Sequence, residues 1–367
     1  MPTTLVVSDL HLGGRTGADV LRKPEIRAPL LEAVAGVDRL VLLGDVLELR
    51  HGPPAEALGR SEPFFRDLAG ALSADTEVLL LAGNHDHQLI EPWLERRGRA
   101  ARPGKLGLEQ MVASSRASWL AARIGSWLGE GRTRVAYPGV FLRDDVYATH
   151  GHFMDLFSTI PTFERLGAAM TSRVIAGRLP EHASVDDLLA RLEPVYAWTD
   201  TVARHASGDR AARGAGVAPK AYEMLAGSGP RPLRARLLGA AFPIVIAALN
   251  RAGLGPLSAD LAGPELRRAS LRAMDQVVAR LGIEAEHVIF GHSHRAGPLP
   301  GDDEAEWRTP SGIRLHNTGC WVFETHFLAG PAGTSPYWPG VAIRVGDSGP
   351  PVLERRLTDV EADQLAA

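Results

Sequence analysis

The segment Leu5-Val6-Val7-Ser8-Asp9-Leu10-His11 is a short apolar run that ends in an aspartate and a histidine two residues apart. Aliphatic and β-branched residues followed by polar residues are typical of a buried strand that ends in a turn. The same pattern recurs four more times, and each of these apolar runs precedes a polar cluster. The runs are Leu40–Leu43, Val78–Leu81, Val146–Ala148 and His287–Phe290.

Helical periodicity separates the first three predicted strands, around Ala28–Val34 and Pro63–Leu72. Strands that alternate with helices predict an α/β fold. Later apolar runs predict antiparallel strands that complete a second sheet, so we expect a two-sheet β-sandwich flanked by helices. These later runs are Ile313–Leu315, Cys320–Phe323, Val341–Val345 and Val352–Leu353.

The stretch 157–281 has a different composition, because it is rich in Ala, Leu and Arg and poor in strand signals. We interpret it as an inserted helical subdomain that could act as a lid. The core of the protein is then formed by residues 1–156 and 282–356, and residues 357–367 form a C-terminal tail.

The longest apolar run lies in this insertion, from Leu237 to Leu249, and is shorter than the ~20 residues that a membrane-spanning helix needs. No membrane span is therefore predicted. Residues 237–246 are apolar on nearly all sides of a helix, which favours burial. A groove for an acyl chain, or peripheral contact with a membrane, is the alternative.

The composition excludes some classes of function. A formal charge of −3 provides no overall field to attract a polyanion, so we expect no stable nucleic acid complex. With Cys320 as the single cysteine, any metal must be held by nitrogen and oxygen ligands. The first residues lack the basic and apolar regions of a signal peptide, which favours a cytoplasmic location.

The polar clusters after the strands consist of metal-ligand residue types. Because ligands bind at the carboxyl ends of strands in α/β sheets, we expect the clusters to converge. Their side chains are too many for one tetrahedral ion and suit two divalent ions, which could share a hydroxide and hydrolyse a phosphoester. The clusters are Asp9 with His11, Asp45, Asn84-His85-Asp86, His150 with His152, and His292 with His294.

In their order along the chain, the motifs Asp-x-His, Gly-Asp-x-x-Glu, Gly-Asn-His-Asp, His-Gly-His and Gly-His-x-His resemble those of the calcineurin-like metallophosphoesterase family. The matching segments cover about residues 5–155 and 285–325. The resemblance implies a β-sandwich flanked by helices and a site for two divalent metal ions, Mn, Fe or Zn, of which we favour Mn.

The resemblance also implies a role for each motif residue. One metal is bound by Asp9, His11 and His294, and the other by Asn84, His150 and His292, with Asp45 as the bridge. His85 contacts the scissile phosphate and protonates the leaving group, and Asp86 orients its imidazole. Glu48 and His152, where relatives often carry Asp, are expected beside the ligands rather than among them.

The motif Gly-His-Ser-His-Arg and the segment Asn317-Thr318-Gly319-Cys320-Trp321 also resemble the branch of the family that cleaves UDP-diacylglucosamine. That branch usually has Arg at the position of His85. We therefore predict hydrolysis of a phosphomonoester or phosphodiester, with a lipid-linked or nucleotide-sugar pyrophosphatase as one alternative. A non-catalytic metal-binding scaffold is the other.

Three basic residues that follow the first motif, Arg15, Arg22 and Lys23, could contact a substrate phosphate because a guanidinium matches phosphate oxygens. A solvated face is the favoured interpretation.

Overall fold

The computed structural model describes residues 3–101, 104–177, 179–205, 233–260, 262–328 and 330–366. Within these ranges, none of the helices combines the length and the apolar character that crossing a bilayer requires.

Eleven strands form one large mixed sheet in the described part of the chain, in the order β11-β10-β1-β2-β3-β5-β6-β7-β9-β8, with β4 paired to β5. All five of the apolar runs that precede polar clusters lie in strands. The strands are β1 (Thr4–Val7), β2 (Arg39–Leu43), β3 (Glu77–Leu81), β4 (Glu109–Ala113), β5 (Thr133–Arg143), β6 (Val146–Thr149), β7 (His287–Phe290), β8 (Ala296–Gly297), β9 (Arg314–Thr318), β10 (Val341–Val345) and β11 (Val352–Arg355).

Strands β1, β2 and β3 are parallel neighbours, and β6 and β7 form a second parallel pair. Parallel neighbours point their carboxyl ends to the same edge of a sheet. The polar clusters that follow β1, β2 and β3 are therefore brought to one edge by the strand pairing.

Strand β5 changes its partner halfway along. Residues before Pro138 pair in parallel with β3, and residues from Gly139 onward pair antiparallel with β6. The sequence does not predict this strand, because a proline followed by a glycine interrupts the apolar alternation and argues against a central strand.

The main hydrophobic core draws side chains from strands along most of the sheet. It contains Val6 of β1, Val41 of β2, Ala148 of β6, Ile289 of β7 and Ile343 of β10, all of them at most 2% exposed. The predicted mixed α/β class is confirmed. The hydrogen bonds link the strands into one path, so the two-sheet arrangement stays a prediction.

The predicted strand Cys320–Phe323 is instead a loop with one isolated bridge. Its backbone bonds to the loops that follow β1, because Trp321 N–H donates to the Asp9 carbonyl (3.0 Å) and Phe323 N–H donates to the Ala18 carbonyl (2.8 Å). The apolar side chains of this segment are buried without a strand ladder, and the loop supports the segment that carries Asp9.

The helices α1 and α2 follow β1 and β2. Helix α1 contains the first predicted helical stretch, and α2 contains the second except for Leu72, which caps its end. The α-helices described by the structure are α1 (Pro24–Val34), α2 (Pro54–Ala71), α3 (Glu91–Gly98), α4 (Ser114–Ala117), α5 (Trp119–Leu128), α6 (Phe163–Thr171), α7 (Val185–His205), α8 (Leu233–Arg251), α9 (Gly263–Leu281) and α10 (Ala362–Leu365).

The chain divides into two compact units, one formed by Met1–His152 with Glu284–Ala367 and the other by Phe153–Ile283. The first contains the sheet, and the second contains α6 to α9. Residues 206–232 of the predicted insertion lie outside the described residues. The boundaries at 156/157 and 281/282, and the role of a lid, stay predictions.

Helix α8 includes the apolar stretch 237–246, for which the sequence favoured burial. The side chains of residues 237–240 lie outside the described part. Among the rest, Ile246 is buried, whereas Ile244 is 71% exposed and Val245 is 51% exposed. Burial of this stretch is thus only partial, because two of its large aliphatic side chains face solvent.

Candidate metal centre

The predicted ligands lie just after the carboxyl ends of β1, β2, β3, β6 and β7. Asp9, Asp45 and His150 are at most 1% exposed, Asn84 and His11 are also buried, and His292 and His294 are half-buried. The cluster therefore has a buried floor and a partly open side.

The backbone at this cluster is unusual. In the described part of the chain, the non-glycine residues with positive φ are Asp9 (53°), His11 (45°), Asp45 (49°), His292 (67°) and His294 (59°). This left-handed conformation costs free energy for residues with a Cβ and tends to occur at functional sites. All five are predicted ligands.

The first group, which we call the A site, consists of Asp9, His11 and His294. The Nε2 atoms of His11 and His294 lie 3.1 Å apart, and Nε2 of His294 lies 3.3 Å from Oδ1 of Asp9. A carboxylate and two imidazoles within this distance could hold a metal ion.

The second group, which we call the B site, consists of Asn84, His150 and His292. Oδ1 of Asn84 lies 3.3 Å from Nε2 of His150 and 3.0 Å from Nδ1 of His292. The two imidazoles and Asp45 also form a group whose ligand atoms lie close enough to hold a metal ion.

Asp45 lies between the two groups. Its Oδ2 is 3.7 Å from Nε2 of His11 and 3.3 Å from Nε2 of His150, while its Oδ1 accepts the backbone N–H of His85 at 2.8 Å. One carboxylate oxygen thus faces both the A site and the B site, which is where a bridging ligand is needed.

The ligand atoms around His11 are arranged to bind a cation. Nδ1 of His11 lies 3.0 Å from a carboxylate oxygen of Glu48, and a hydrogen on Nδ1 that satisfies this carboxylate leaves Nε2 as a lone pair. That lone pair points at Nε2 of His294 and at Asp45. Such a convergence of acceptors is unfavourable without a positive charge between them, and a metal ion supplies that charge.

The Asn84 amide shows the same asymmetry. Its oxygen faces only acceptors and its nitrogen faces only donors, with Arg50 Nη2 at 3.1 Å. Rotating the amide by 180° would replace these contacts by hydrogen bonds to Asp45, His292 and Arg50. The observed orientation is the one that suits a cation beside the oxygen and an anion beside the nitrogen.

The buried carboxylates and imidazoles of the cluster stabilise each other's charged forms. Burial opposes ionisation of Asp45, but His150 and His85 hold the pKa of its carboxyl well below the usual range. Burial likewise opposes protonation of His150, yet Asp45 raises the pKa of its imidazole to about 9. A field that attracts a proton to a buried imidazole also attracts a metal cation.

Two glycines allow the ligands to approach each other. A Cβ on Gly83 would collide with the Asp45 carboxylate and the His150 ring, and a Cβ on Gly44, which has φ 88°, would collide with the His150 ring. These two positions therefore require glycine, because a Cβ would not fit between the ligands.

His85 stands beside the two groups. Its ring packs against the His11 ring, with centroids 4.6 Å apart, and its ring nitrogens contact other residues. Its Nδ1 lies 2.9 Å from Glu48 Oε2, and its Nε2 lies 3.3 Å from Arg50 Nη1. Burial lowers the pKa of the His85 imidazole, and the Arg50 cation lowers it further. Because Glu48 holds Nδ1, Nε2 is the ring atom that faces Arg50.

Asp86 lies elsewhere than the sequence analysis assumed. Its carboxylate accepts the backbone N–H groups of Gly83 (2.7 Å), Val46 (2.7 Å) and Leu47 (3.2 Å), and so fixes the turns that carry Asn84 and Asp45. The carboxylate that contacts the His85 ring is that of Glu48, which follows β2. The contacts thus assign the orientation of His85 to Glu48 rather than to its neighbour in sequence.

His152, which the sequence placed beside the ligands, is fully buried and stacks on His150 with ring centroids 5.8 Å apart. Burial first, and the neighbouring His150 second, hold the pKa of the His152 imidazole well below its usual range. It therefore packs behind the B site as a neutral ring.

The basic residues after the first motif have structural partners. Arg15 pairs with Glu56 at 2.5 Å, Arg22 donates to the Asp19 carbonyl at 2.7 Å, and Lys23 donates to the Gln364 carbonyl at 2.7 Å. The cation beside the predicted ligands is instead Arg50, which the sequence analysis did not single out.

A further group with metal-ligand types, Asp145, Glu286 and His287, lies at the amino ends of β6 and β7, away from their carboxyl ends. Arg143 donates to both carboxylate oxygens of Asp145. The Asp145 carboxylate is therefore already paired with a cation.

No model of a protein family matches the chain, and no curated protein matches it. Among solved structures, it is similar to a cold-active protein-tyrosine phosphatase of a psychrophile Shewanella species, with 13% identity, a TM-score of 0.29, and coverage of 95% of this chain and 76% of that one. A mutant of a cold-active protein tyrosine phosphatase matches with the same values. Similarity at this level carries no argument about fold or function.

Proposed function

We propose that the chain is a dinuclear metal-dependent phosphoesterase of the calcineurin-like type, which hydrolyses a phosphomonoester or a phosphodiester. The observation that carries this proposal is the position of Asp45, whose Oδ2 faces the imidazoles of both the A site and the B site. A carboxylate between two ligand groups is the arrangement that a two-metal hydrolase needs.

Asp9, His11 and His294 would hold one ion, and Asn84, His150 and His292 the other. When bound, a pair of divalent ions offsets the charge of the phosphate and activates the attacking water. These nitrogen and oxygen ligands could bind Mn, Fe or Zn, and we favour Mn.

Arg50 would bind the phosphate group of the substrate. Its guanidinium lies 3.1 Å from the Asn84 amide, whose nitrogen faces only donors. Two donors side by side repel each other, and a phosphate oxygen beside both would accept a hydrogen bond from each. The forked guanidinium also matches the geometry of phosphate oxygens.

His85 would protonate the leaving oxygen. Glu48 holds Nδ1 at 2.9 Å, so Nε2 faces the side on which Arg50 lies and on which we place the phosphate. A proton on Nε2 would pass to the leaving alkoxide as the P–O bond breaks, and the Glu48 carboxylate would stabilise the imidazolium before that transfer.

The proposal extends to the fold. We infer that the sheet folds over itself into two layers at β5, where Pro138 and Gly139 separate the residues that pair with β3 from those that pair with β6. The inclusion of Val6 of β1 and Ile289 of β7 in one core cluster supports this arrangement.

The experiment is turnover of p-nitrophenyl phosphate and bis-p-nitrophenyl phosphate by the full chain, before and after removal of metal with a chelator. We expect activity on at least one substrate that the chelator abolishes and Mn²⁺ restores. A non-catalytic scaffold would give no chelator-sensitive rate whatever its metal content, and this result would overturn the proposal.

A further inference from the structure

The imidazoles of the A site are backed by carboxylates on the side away from the ligand atoms. His11 turns Nε2 into the site and its Nδ1 lies 3.0 Å from Glu48. His294 also turns Nε2 into the site, and its Nδ1 lies 3.7 Å from Oε2 of Glu324. Carboxylates behind metal-binding imidazoles fix the ring orientation and make the ring nitrogen a stronger donor to the metal.

Two of the groups at the B site are neutral. The group behind His150 is a neutral backbone carbonyl, since Nδ1 of His150 lies 2.9 Å from the oxygen of Leu43. Asn84 contributes a neutral amide. The nearby Asp86 carboxylate is turned toward three backbone N–H groups, which neutralise part of its charge.

The position of Glu324 is set by the backbone. The preceding residue, Phe323, donates its N–H to the Ala18 carbonyl at 2.8 Å, and Trp321 donates its N–H to the Asp9 carbonyl at 3.0 Å. The Glu324 carbonyl accepts the N–H of Phe327 at 3.1 Å. The loop that carries this carboxylate is thus tied to the segment that carries the Asp9 ligand.

We propose that the two metal positions are unequal, and that the A site binds its ion more tightly because Glu48 and Glu324 back its imidazoles. Glu324 is a positioning residue in this arrangement, since it acts through His294. The inference rests on the proposed function, because it requires two metal ions. It adds an order of binding, in which the A site fills before the B site.

The test is calorimetric titration of metal-free full-length protein with Mn²⁺. We expect two classes of bound ion in the wild type. Glu324→Gln should weaken the tighter class by about 10–100-fold and leave the weaker class unchanged. Glu77→Gln is the matched control, because Glu77 is also 30% exposed and ion-paired, at 2.7 Å to Arg39, but lies at the start of β3.

Two more variants assign the classes. Asn84→Ala should remove the weaker class, and His294→Ala should remove the tighter one. Glu324→Asp keeps the charge and should retain more of the tight binding than Glu324→Gln does. This ranking separates an effect of charge from a general disturbance of the loop, and circular dichroism confirms that each variant is folded.

Two equal classes in the wild type would overturn the inference, and so would a tight class that Glu324→Gln leaves unchanged. Both results leave the proposed function standing, since two ions still bind. A wild-type protein that binds no Mn²⁺, Fe²⁺ or Zn²⁺ would instead refute the proposed function and the inference with it.

Discussion

The Glu48 carboxylate lies 2.9 Å from Nδ1 of His85 and is buried beside the candidate metal centre. The same oxygen, Oε2, lies 3.0 Å from Nδ1 of His11. Although burial opposes its ionisation, His85 and His11 hold the pKa of the Glu48 carboxyl well below the usual range. One carboxylate therefore orients both a predicted ligand and the predicted acid.

We first predict that His85→Ala lowers turnover by about 10²–10⁴-fold, the usual contribution of a general acid. Both metal ions should remain bound, because His85 is not among the predicted ligands and its ring nitrogens contact Glu48 and Arg50. Steady-state kinetics and metal analysis of the same preparation check this. His182→Ala, at an exposed histidine of the helical unit, is the control. Loss of a metal on His85→Ala would place His85 among the ligands.

A second prediction concerns Arg50. Arg50→Gln should raise KM for p-nitrophenyl phosphate more than it lowers kcat, and should weaken inhibition by inorganic phosphate by about 10–100-fold, the value of a charge-assisted hydrogen bond. Arg50→Lys keeps the charge but loses the forked guanidinium. Its inhibition by phosphate should therefore lie between that of the wild type and that of Arg50→Gln. The control is Arg60→Gln, which is 47% exposed and paired with Glu56.

Unchanged phosphate inhibition in Arg50→Gln would show that the guanidinium does not contact the substrate. An equal loss in Arg60→Gln would mean that only the overall charge of the protein matters.

Steric crowding at the strand ends gives a third prediction. Gly83→Ala should weaken Mn²⁺ binding and abolish turnover, because a Cβ there would collide with Asp45 and His150. Gly59→Ala, on helix α2, is the matched control, because a Cβ there would have open space around it. This substitution should instead raise the free energy of unfolding by about 0.5–1 kcal/mol. Chemical denaturation and metal titration measure both effects. Normal metal binding by Gly83→Ala would contradict the close approach.

The fourth prediction is a dependence of stability on pH. His316 is buried next to His287, with Nε2 of His316 2.9 Å from Nδ1 of His287, and burial followed by repulsion from His287 lowers the pKa of His316 to about 3. A histidine with a depressed pKa in the folded state contributes stability that is present above its ordinary pKa of about 6.5 and is lost as the pH falls toward 3.

The measurement is urea denaturation between pH 7.5 and 5. His316→Gln should reduce the decline in the free energy of unfolding by up to about 1.4 kcal/mol per pH unit below pH 6.5. An unchanged slope in the variant would show that His316 takes up a proton as readily in the folded protein as in the unfolded chain.

The ligands could be predicted from sequence because each one follows an apolar strand within four residues of its end. Asp9 and His11 lie two and four residues after β1, and His292 and His294 lie two and four residues after β7. The end of each strand fixes the backbone position of the ligand that follows it, and the sheet brings the strand ends together. This part of the site depends on local pattern and parallel pairing, which a sequence displays.

Other parts depend on the paths of loops, which no local pattern encodes. Asp86 is adjacent to His85 in sequence, but the turn directs its carboxylate to the N–H groups of Val46 and Leu47, so Glu48 takes the place beside the ring. Glu324 reaches His294 because its loop bonds to the segment after β1. Strand β5 was missed because Pro138 and Gly139 conceal its continuity.

The most direct measurement is an anomalous difference map from crystals soaked in Mn²⁺, with data collected at the manganese absorption edge. We predict two peaks about 3.5–4 Å apart, one beside Asp9, His11 and His294 and the other beside Asn84, His150 and His292, with Asp45 contacting both. A single peak, or peaks away from Asp45, would contradict the two-metal site from which the proposed function follows.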